Sequence, residues 1–289
     1  MKTEKVIDSY WLHAKSRGLS QKTLDKYLYT LARFAQFAGD VPFVTIGHRQ
    51  LTEFLASYEN ISNRTRADYY AALGAFYSWA TADGILKENP MKRVSKPKSE
   101  SVQREPFSKA DIMALLGALQ SGTNIKRNTA IIYMLLDTGI RAGELCNLKQ
   151  RDYDTSNKEL RVIRGKGGKS RTLPISAKTV QKLSVYLRSQ PIDSDRYLFT
   201  TNQGDKLRPA ILWKNIQRLG KRAGVEKAHP HRFRHTYAIE YLRNGGNVFA
   251  LRESLGHSDL EMTMVYVKLA QADIREGHKT ASPVLNMLG

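Results

Sequence analysis

The chain has 289 residues, with 46 Lys and Arg against 27 Asp and Glu and a formal charge of +19. Its 41% hydrophobic and 25% charged residues describe an ordinary folded composition, and the length suggests two domains, each able to bury its own core. The single cysteine, Cys146, excludes a disulfide framework and a cysteine-based zinc site, and no run approaches 18 apolar residues, so no transmembrane helix is expected.

Residues 4–82 read as helical, a small bundle of four helices. Ser20 is a fitting N-cap for Gln21–Ala38, where Leu24, Tyr27, Leu28, Leu31, Phe34 and Phe37 recur at helical spacing. Gly39 and Pro42 stop that helix, and a shorter one covers Gly47–Tyr58. Ser62 caps a third, running to Ala82, with Tyr69, Leu73, Phe76 and Tyr77 on one side. These aromatics are expected in the core rather than as base-stacking platforms. Residues 90–106 combine three prolines with charges and no apolar period, which reads as a linker. The expected division is 1–95 for the helical domain, 96–106 for the linker proper and 107–289 for a second domain with a C-terminal tail.

The second domain opens with a capping box, Ser108-Lys109-Ala110-Asp111, ahead of Ile112, Leu115, Leu116 and Leu119. Asn128–Asp137 is an apolar helix. The period then changes: 160–164 and 171–175 read as two strands, joined by the hairpin tip Gly165-Lys166-Gly167-Gly168-Lys169. Helices resume at Lys178–Arg188, Pro209–Ala223, His231–Asn244 and Phe249–Leu255, with a last pair at Leu260–Leu269 and Gln271–Glu276.

A sequence pI near 9.9 points to a polyanionic partner, nucleic acid before an anionic membrane. No block of five like charges occurs, so the charge belongs to folded segments, as on a surface that grips a phosphate backbone. No terminal amphipathic helix with a basic face stands out, which weakens the membrane reading. The start Met1-Lys2-Thr3-Glu4-Lys5 lacks an apolar signal core, and a cytoplasmic location is expected.

Four islands carry the candidate chemistry. In Thr138-Gly139-Ile140-Arg141-Ala142-Gly143-Glu144-Leu145 a glycine turn presents Arg141 where a helix starts, and Glu144 is placed to hold the guanidinium or the helix start; a plain capping pair explains the pattern equally well. Lys166 and Lys169 sit on a glycine-rich tip that can approach a phosphate closely, although a solvated basic turn is the blander reading. His231 and Arg234 are one turn apart on a helix starting near Pro230. His235 is four residues from His231, a spacing that suits zinc, but the arginine on that face repels a cation and phosphate binding is favoured. Finally, His257 follows Leu255-Gly256, and Tyr266 lies nine residues further on in the next helix; alone, one reads as a cap and the other as a core aromatic. Together, two arginines, a lysine, two histidines and a tyrosine suit metal-free displacement at a phosphodiester. Arginine forks neutralise the non-bridging oxygens, and a nucleophile, an acid and a base are all present.

With these motifs in their order, the sequence resembles the tyrosine recombinase (phage integrase) family, of Xer-like or small integrase type, over nearly its whole length. The resemblance implies a mainly α fold with a small antiparallel β-sheet: an N-terminal helical bundle, a SAM-like core-binding domain that grips DNA, then an α+β catalytic domain. Carried over by position, it implies Arg141 and Arg234 as the catalytic arginines and Lys166 as the hairpin lysine and general acid, in preference to Lys169. It further implies His231 as base, His257 as a phosphate ligand and Tyr266 as the nucleophile of a 3′-phosphotyrosyl intermediate. No cofactor and no metal are implied. The partner would be double-stranded DNA, held by a homo-tetramer, or a hetero-tetramer with a paralogue, on two sites. The C-terminal tail would pass to a neighbouring protomer or fold back on its own domain. Lys22, Arg64, Arg66 and Lys169 are the expected phosphate contacts. The reaction implied is site-specific recombination, in integration, excision or dimer resolution. The alternatives are a type IB topoisomerase-like nicking and closing activity or a DNA-binding regulator without catalysis.

Overall fold

Ser20, Ser62, Ser108 and Ser176 each cap a helix that the periodicity predicts. In the computed structural model, which describes residues 2–58, 61–98, 105–120, 124–163, 170–256 and 261–270, the chain divides into two compact units, Met1–Val102 and Gln103–Gly289. The first holds α1 (Thr3–Ser16), α2 (Gln21–Ala38), α3 (His48–Ala56) and α4 (Asn63–Ala82). The Ser20 and Ser62 hydroxyls accept the Thr23 and Thr65 amides at 3.2 and 3.1 Å, each satisfying a donor that a helix start leaves over. Leu31, Phe34, Leu51, Phe54, Leu73, Phe76 and Tyr77 are buried together, and Phe34 meets Phe54 edge to face at 5.2 Å. Phe34, Tyr69, Phe76 and Tyr77 are therefore core, as their spacing predicts, whereas Phe37 is 40% exposed at the last turn of α2.

The stretch 90–106 departs from its expectation at its near end. Asn89 caps a 3-10 turn, Pro90–Arg93, and Met91 and Val94 are buried in the first unit's core. Two apolar residues three apart are too few to register as a period beside the prolines and charges. At the far end, Phe107 is buried in the second unit, where its amide donates to Thr236 Oγ1 at 2.8 Å.

The second unit begins with α5 (Lys109–Leu119), behind the predicted Ser108–Asp111 capping box. Next come α6 (Ile125–Thr138) and α7 (Ala142–Asn147), a sheet of β1 (Tyr153–Asp154), β2 (Glu159–Val162) and β3 (Arg171–Pro174), then α8 (Ala177–Leu187) and α9 (Pro209–Ala223). α10 (Pro230–Arg243), α11 (Val248–Leu255) and α12 (Glu261–Ala270) complete it. α6 starts three residues before its predicted beginning because Arg127 broke the apolar pattern. That side chain is buried, and its guanidinium donates to the Thr200 carbonyl at 2.8 Å. The sheet is antiparallel in the order β1-β2-β3, with Leu160 opposite Leu173 and both buried. β1 was not predicted: two residues are too short to show a period. The hairpin tip with Lys166 and Lys169, residues 257–260 with His257, and the predicted helix Gln271–Glu276 lie outside the described residues. Among those described, no helix is long and apolar enough to cross a membrane.

Two clusters organise this unit. The larger one joins α5, α6, α8 and α9 to the sheet. The smaller one is Ala238, Ile239, Leu251, Leu255 and Tyr266, and it sits where the candidate side chains meet.

Candidate active site

The site is built on the end of a helix. α11 stops at Gly256, which adopts a left-handed φ of +63°. A helix end leaves its last carbonyls unsatisfied and carries partial negative charge. Here three arginines satisfy them. Arg171 Nε donates to the Ser254 carbonyl at 2.7 Å, and the Leu255 carbonyl accepts from Arg141 Nη1 at 3.2 Å and from Arg234 Nη2 at 2.7 Å.

Each arginine arrives from a different element. Arg141 is the residue before α7, set there by Gly139, whose φ of +58° closes α6. A β-carbon on Gly139 would collide with the Tyr237 ring and come within 3.1 Å of Leu255, so the turn admits only glycine. The predicted capping pair is present and does both of its expected jobs: Glu144 accepts the Arg141 amide at 3.0 Å and Arg141 Nη1 at 3.2 Å. Arg234, on α10, is 1% exposed and also donates to the Gly139 carbonyl at 2.8 Å. Burial and the neighbouring Arg141 charge pull its guanidinium down to about 10. Arg171 was not among the residues singled out in the sequence. It makes a two-pronged ion pair with Glu144, at 3.0 and 2.8 Å. Burial alone would raise the Glu144 carboxyl, but the bonds from Arg171 and the Arg141 amide bring it down to about 2. The signal for Arg171 lay in the strand pattern, where it shares a face with buried Leu173.

Tyr266 lies on α12 with its ring 8% exposed, packed among Leu251, Leu255, Ala238 and Ile239 and edge-on to His235 at 5.1 Å. Burial raises its phenol above the usual 10, while the charges of Arg234 and Arg141 pull it the other way, so the hydroxyl lies within their field. His231 is exposed in the first turn of α10, one turn before Arg234. The cap of that helix is His229, whose Nδ1 accepts the Arg232 amide at 3.1 Å. Arg141, Arg234 and Tyr266 thus meet around the end of α11, with His231 on the helix that carries Arg234. Lys166, Lys169 and His257 lie outside the described residues. Among those described, no group of three His, Cys, Asp or Glu could hold a metal ion. The arrangement suits an anion: Arg141 keeps Nε and Nη2 without a hydrogen-bond partner among the described residues and is 39% exposed.

In the first unit, Lys22 is exposed in the first turn of α2, and Arg64 is 83% exposed, 4.0 Å from Asp68. Arg66 turns inward, donating to the Leu55 and Tyr58 carbonyls at 3.0 and 2.9 Å and to Asn63 Oδ1 at 3.0 Å.

Comparison with known proteins gives a consistent result. Residues 106–273 match the model of the phage integrase family, and residues 7–84 match its N-terminal SAM-like domain. The chain is 30% identical over 281 residues to the tyrosine recombinase XerA of Thermococcus onnurineus, covering 96% of this chain and 95% of that one. It is 28% identical over 289 residues to the tyrosine recombinase XerC of Pseudomonas savastanoi pv. phaseolicola, covering 97% and 96%. Its fold superposes on the Tn1549 transposon integrase in complex with transposon right end DNA, with a TM-score of 0.80 at 20% identity, covering 98% and 100% of the two chains.

Proposed function

Because the chain belongs to the phage integrase family and is a tyrosine-type site-specific recombinase, we propose that Tyr266 is its nucleophile and that Arg141 and Arg234 hold the phosphate it attacks. The observation that carries this reading is the shared Leu255 carbonyl: it fixes two guanidiniums side by side, and the Leu255 side chain belongs to the cluster that contains Tyr266.

A phosphodiester repels nucleophiles through its own charge, and two preorganised cations remove that barrier where charge grows in the transition state. The Tyr266 oxygen attacks phosphorus, a 3′-phosphotyrosyl bond forms and the bond to the 5′-oxygen breaks. His231 takes the phenol proton, Lys166 protonates the departing 5′-oxygen, and His257 hydrogen-bonds the phosphate. Since burial holds the phenol above its ordinary value, deprotonation has to be coupled to attack. The phosphotyrosyl link conserves the energy of the phosphodiester, so the steps balance without ATP or a metal ion. A 5′-hydroxyl from a second strand then reverses the reaction.

Residues 107–289 carry this chemistry, and residues 1–95 grip DNA, with Lys22 and Arg64, and Lys169 in the catalytic domain, as phosphate contacts. Arg66 supports the end of α3 instead. A tetramer of this chain, or of this chain and a paralogue, on two duplexes in the cytoplasm supplies the second 5′-hydroxyl.

The test is a library of nicked suicide duplexes, from which the protein should capture a subset as a denaturation-resistant adduct. Tyr266→Phe should bind the same duplexes without forming it. Strand exchange between two labelled captured sites should follow; an adduct without exchange at any pair of sites would contradict recombination.

A further inference from the structure

Glu144 is saturated. Its Oε1 accepts from Arg171 Nη1 at 3.0 Å and Arg141 Nη1 at 3.2 Å, and its Oε2 accepts from Arg171 Nη2 at 2.8 Å and the Arg141 amide at 3.0 Å. A carboxylate has about four lone-pair sites, and all four are taken. The inner arginine takes the better share. Arg171 and Glu144 are 11% and 13% exposed, whereas Arg141 is 39% exposed and touches the carboxylate with only one prong of its fork.

We infer that Arg171 is a positioning residue for Arg141: by occupying both oxygens of Glu144, it keeps that carboxylate from capturing Arg141 and leaves Nε and Nη2 of Arg141 for the scissile phosphate. The inference rests on the role proposed above for Arg141. Without Arg171, two acceptor sites on a buried carboxylate lie open three residues from the Arg141 guanidinium, and a fork-to-fork pair is the strongest arrangement open to them. Such a pair would turn the Arg141 donors away from solvent. It would also lower the charge offered to the phosphate, because Arg171 is what balances Glu144. The geometry adds a second effect. Arg171 Nε holds the Ser254 carbonyl, one residue before the carbonyl that fixes Arg141 and Arg234, so β3 braces the end of the helix on which both catalytic guanidiniums rest.

The test compares wild type, Arg171→Met, Arg171→Lys, Glu144→Gln and the two double variants of the full chain on one captured nicked duplex. The readouts are the single-turnover rate of adduct formation at saturating protein, the Kd for the uncleaved duplex and the melting temperature. Arg171→Met should slow adduct formation by about 10- to 100-fold, with the Kd changed by less than about threefold. Arg171→Lys, which keeps the charge but not the fork, should lie between it and wild type. The diagnostic result is rescue. Adding Glu144→Gln to Arg171→Met should raise the rate at least about fivefold, because a neutral amide no longer draws Arg141 in; a merely structural role would make the two losses accumulate. A double variant no faster than Arg171→Met overturns the inference, as does an Arg171→Met protein that cleaves at the wild-type rate. If Arg171→Met has no cooperative melting transition, the same comparison is made between Arg171→Lys and its Glu144→Gln double variant. Failure of wild type to form a Tyr266 adduct would instead overturn the proposed function, so the two failures are distinguishable.

Discussion

Arg141 and Arg234 share one acceptor, the Leu255 carbonyl, at 3.2 and 2.7 Å. Two like charges brought to one point repel, and the end of α11 offsets that repulsion with the partial negative charge of its open carbonyls. Arg234 bridges two carbonyls, of Leu255 and Gly139, and a lysine has no fork with which to span them. Arg234→Lys should therefore keep duplex binding within about threefold yet slow adduct formation by about 100-fold or more, the scale of losing one preorganised donor. Weakened binding with the saturating rate unchanged would show that Arg234 acts in the ground state instead.

Gly139 is the pivot of the same arrangement. Alanine there meets both a left-handed φ of +58° and the Tyr237 ring. Gly139→Ala should destabilise the second unit by about 2–4 kcal/mol in chemical denaturation. It should also lower adduct formation in the fraction that remains folded, because the carbonyl that holds Arg234 moves. A variant of wild-type stability would mean that the turn relaxes at no cost.

Glu144 makes the second unit acid-sensitive in a definite direction. Its carboxyl is drawn down from 4.5 to about 2 in the folded chain. A depressed carboxyl contributes stability that is present above its unfolded value and lost as pH falls toward the folded one, here between about pH 4.5 and 2. The amount at neutral pH is on the order of 3 kcal/mol. Denaturation of wild type and Glu144→Gln should show a stability gap at pH 7 that narrows steadily below pH 4.5. Parallel curves across that range would contradict the assignment.

The first unit separates two kinds of basic side chain. Arg66 closes the end of α3 on its own unit, whereas Lys22 and Arg64 face solvent. Lys22→Ala and Arg64→Ala should each lower the slope of log K against log salt for duplex binding by about 1. Arg66→Met should lower the melting temperature of the first unit and leave that slope unchanged. A slope change at Arg66 would place it on the DNA.

Much of this molecule is legible in its sequence, for identifiable reasons. Gln21–Ala38, with its serine cap and glycine stop, and Pro209–Ala223, with proline at its first position and a glycine stop, are readable to the residue because end chemistry is local. The Arg141–Glu144 pair is readable because its spacing is that of a helix start. What escaped depends on contacts between distant segments. Arg171 looks like an ordinary polar strand residue until the fold brings Glu144 and Ser254 to it from 27 and 83 residues away. Arg127 hid the start of α6 because a buried arginine reads as surface until its carbonyl partner on Thr200 is in place. His235 showed helical spacing to His231, but its edge-on contact with Tyr266 depends on how α10 and α12 pack.

Whether Tyr266 carries the DNA is read most directly by digesting the captured protein–DNA adduct and locating the modified peptide by mass spectrometry. The expected product is a nucleotide joined through its 3′-phosphate to the oxygen of Tyr266, on a peptide from α12. A nucleotide found on Tyr237, Tyr241 or any other side chain would contradict it, as would attachment through a 5′-phosphate.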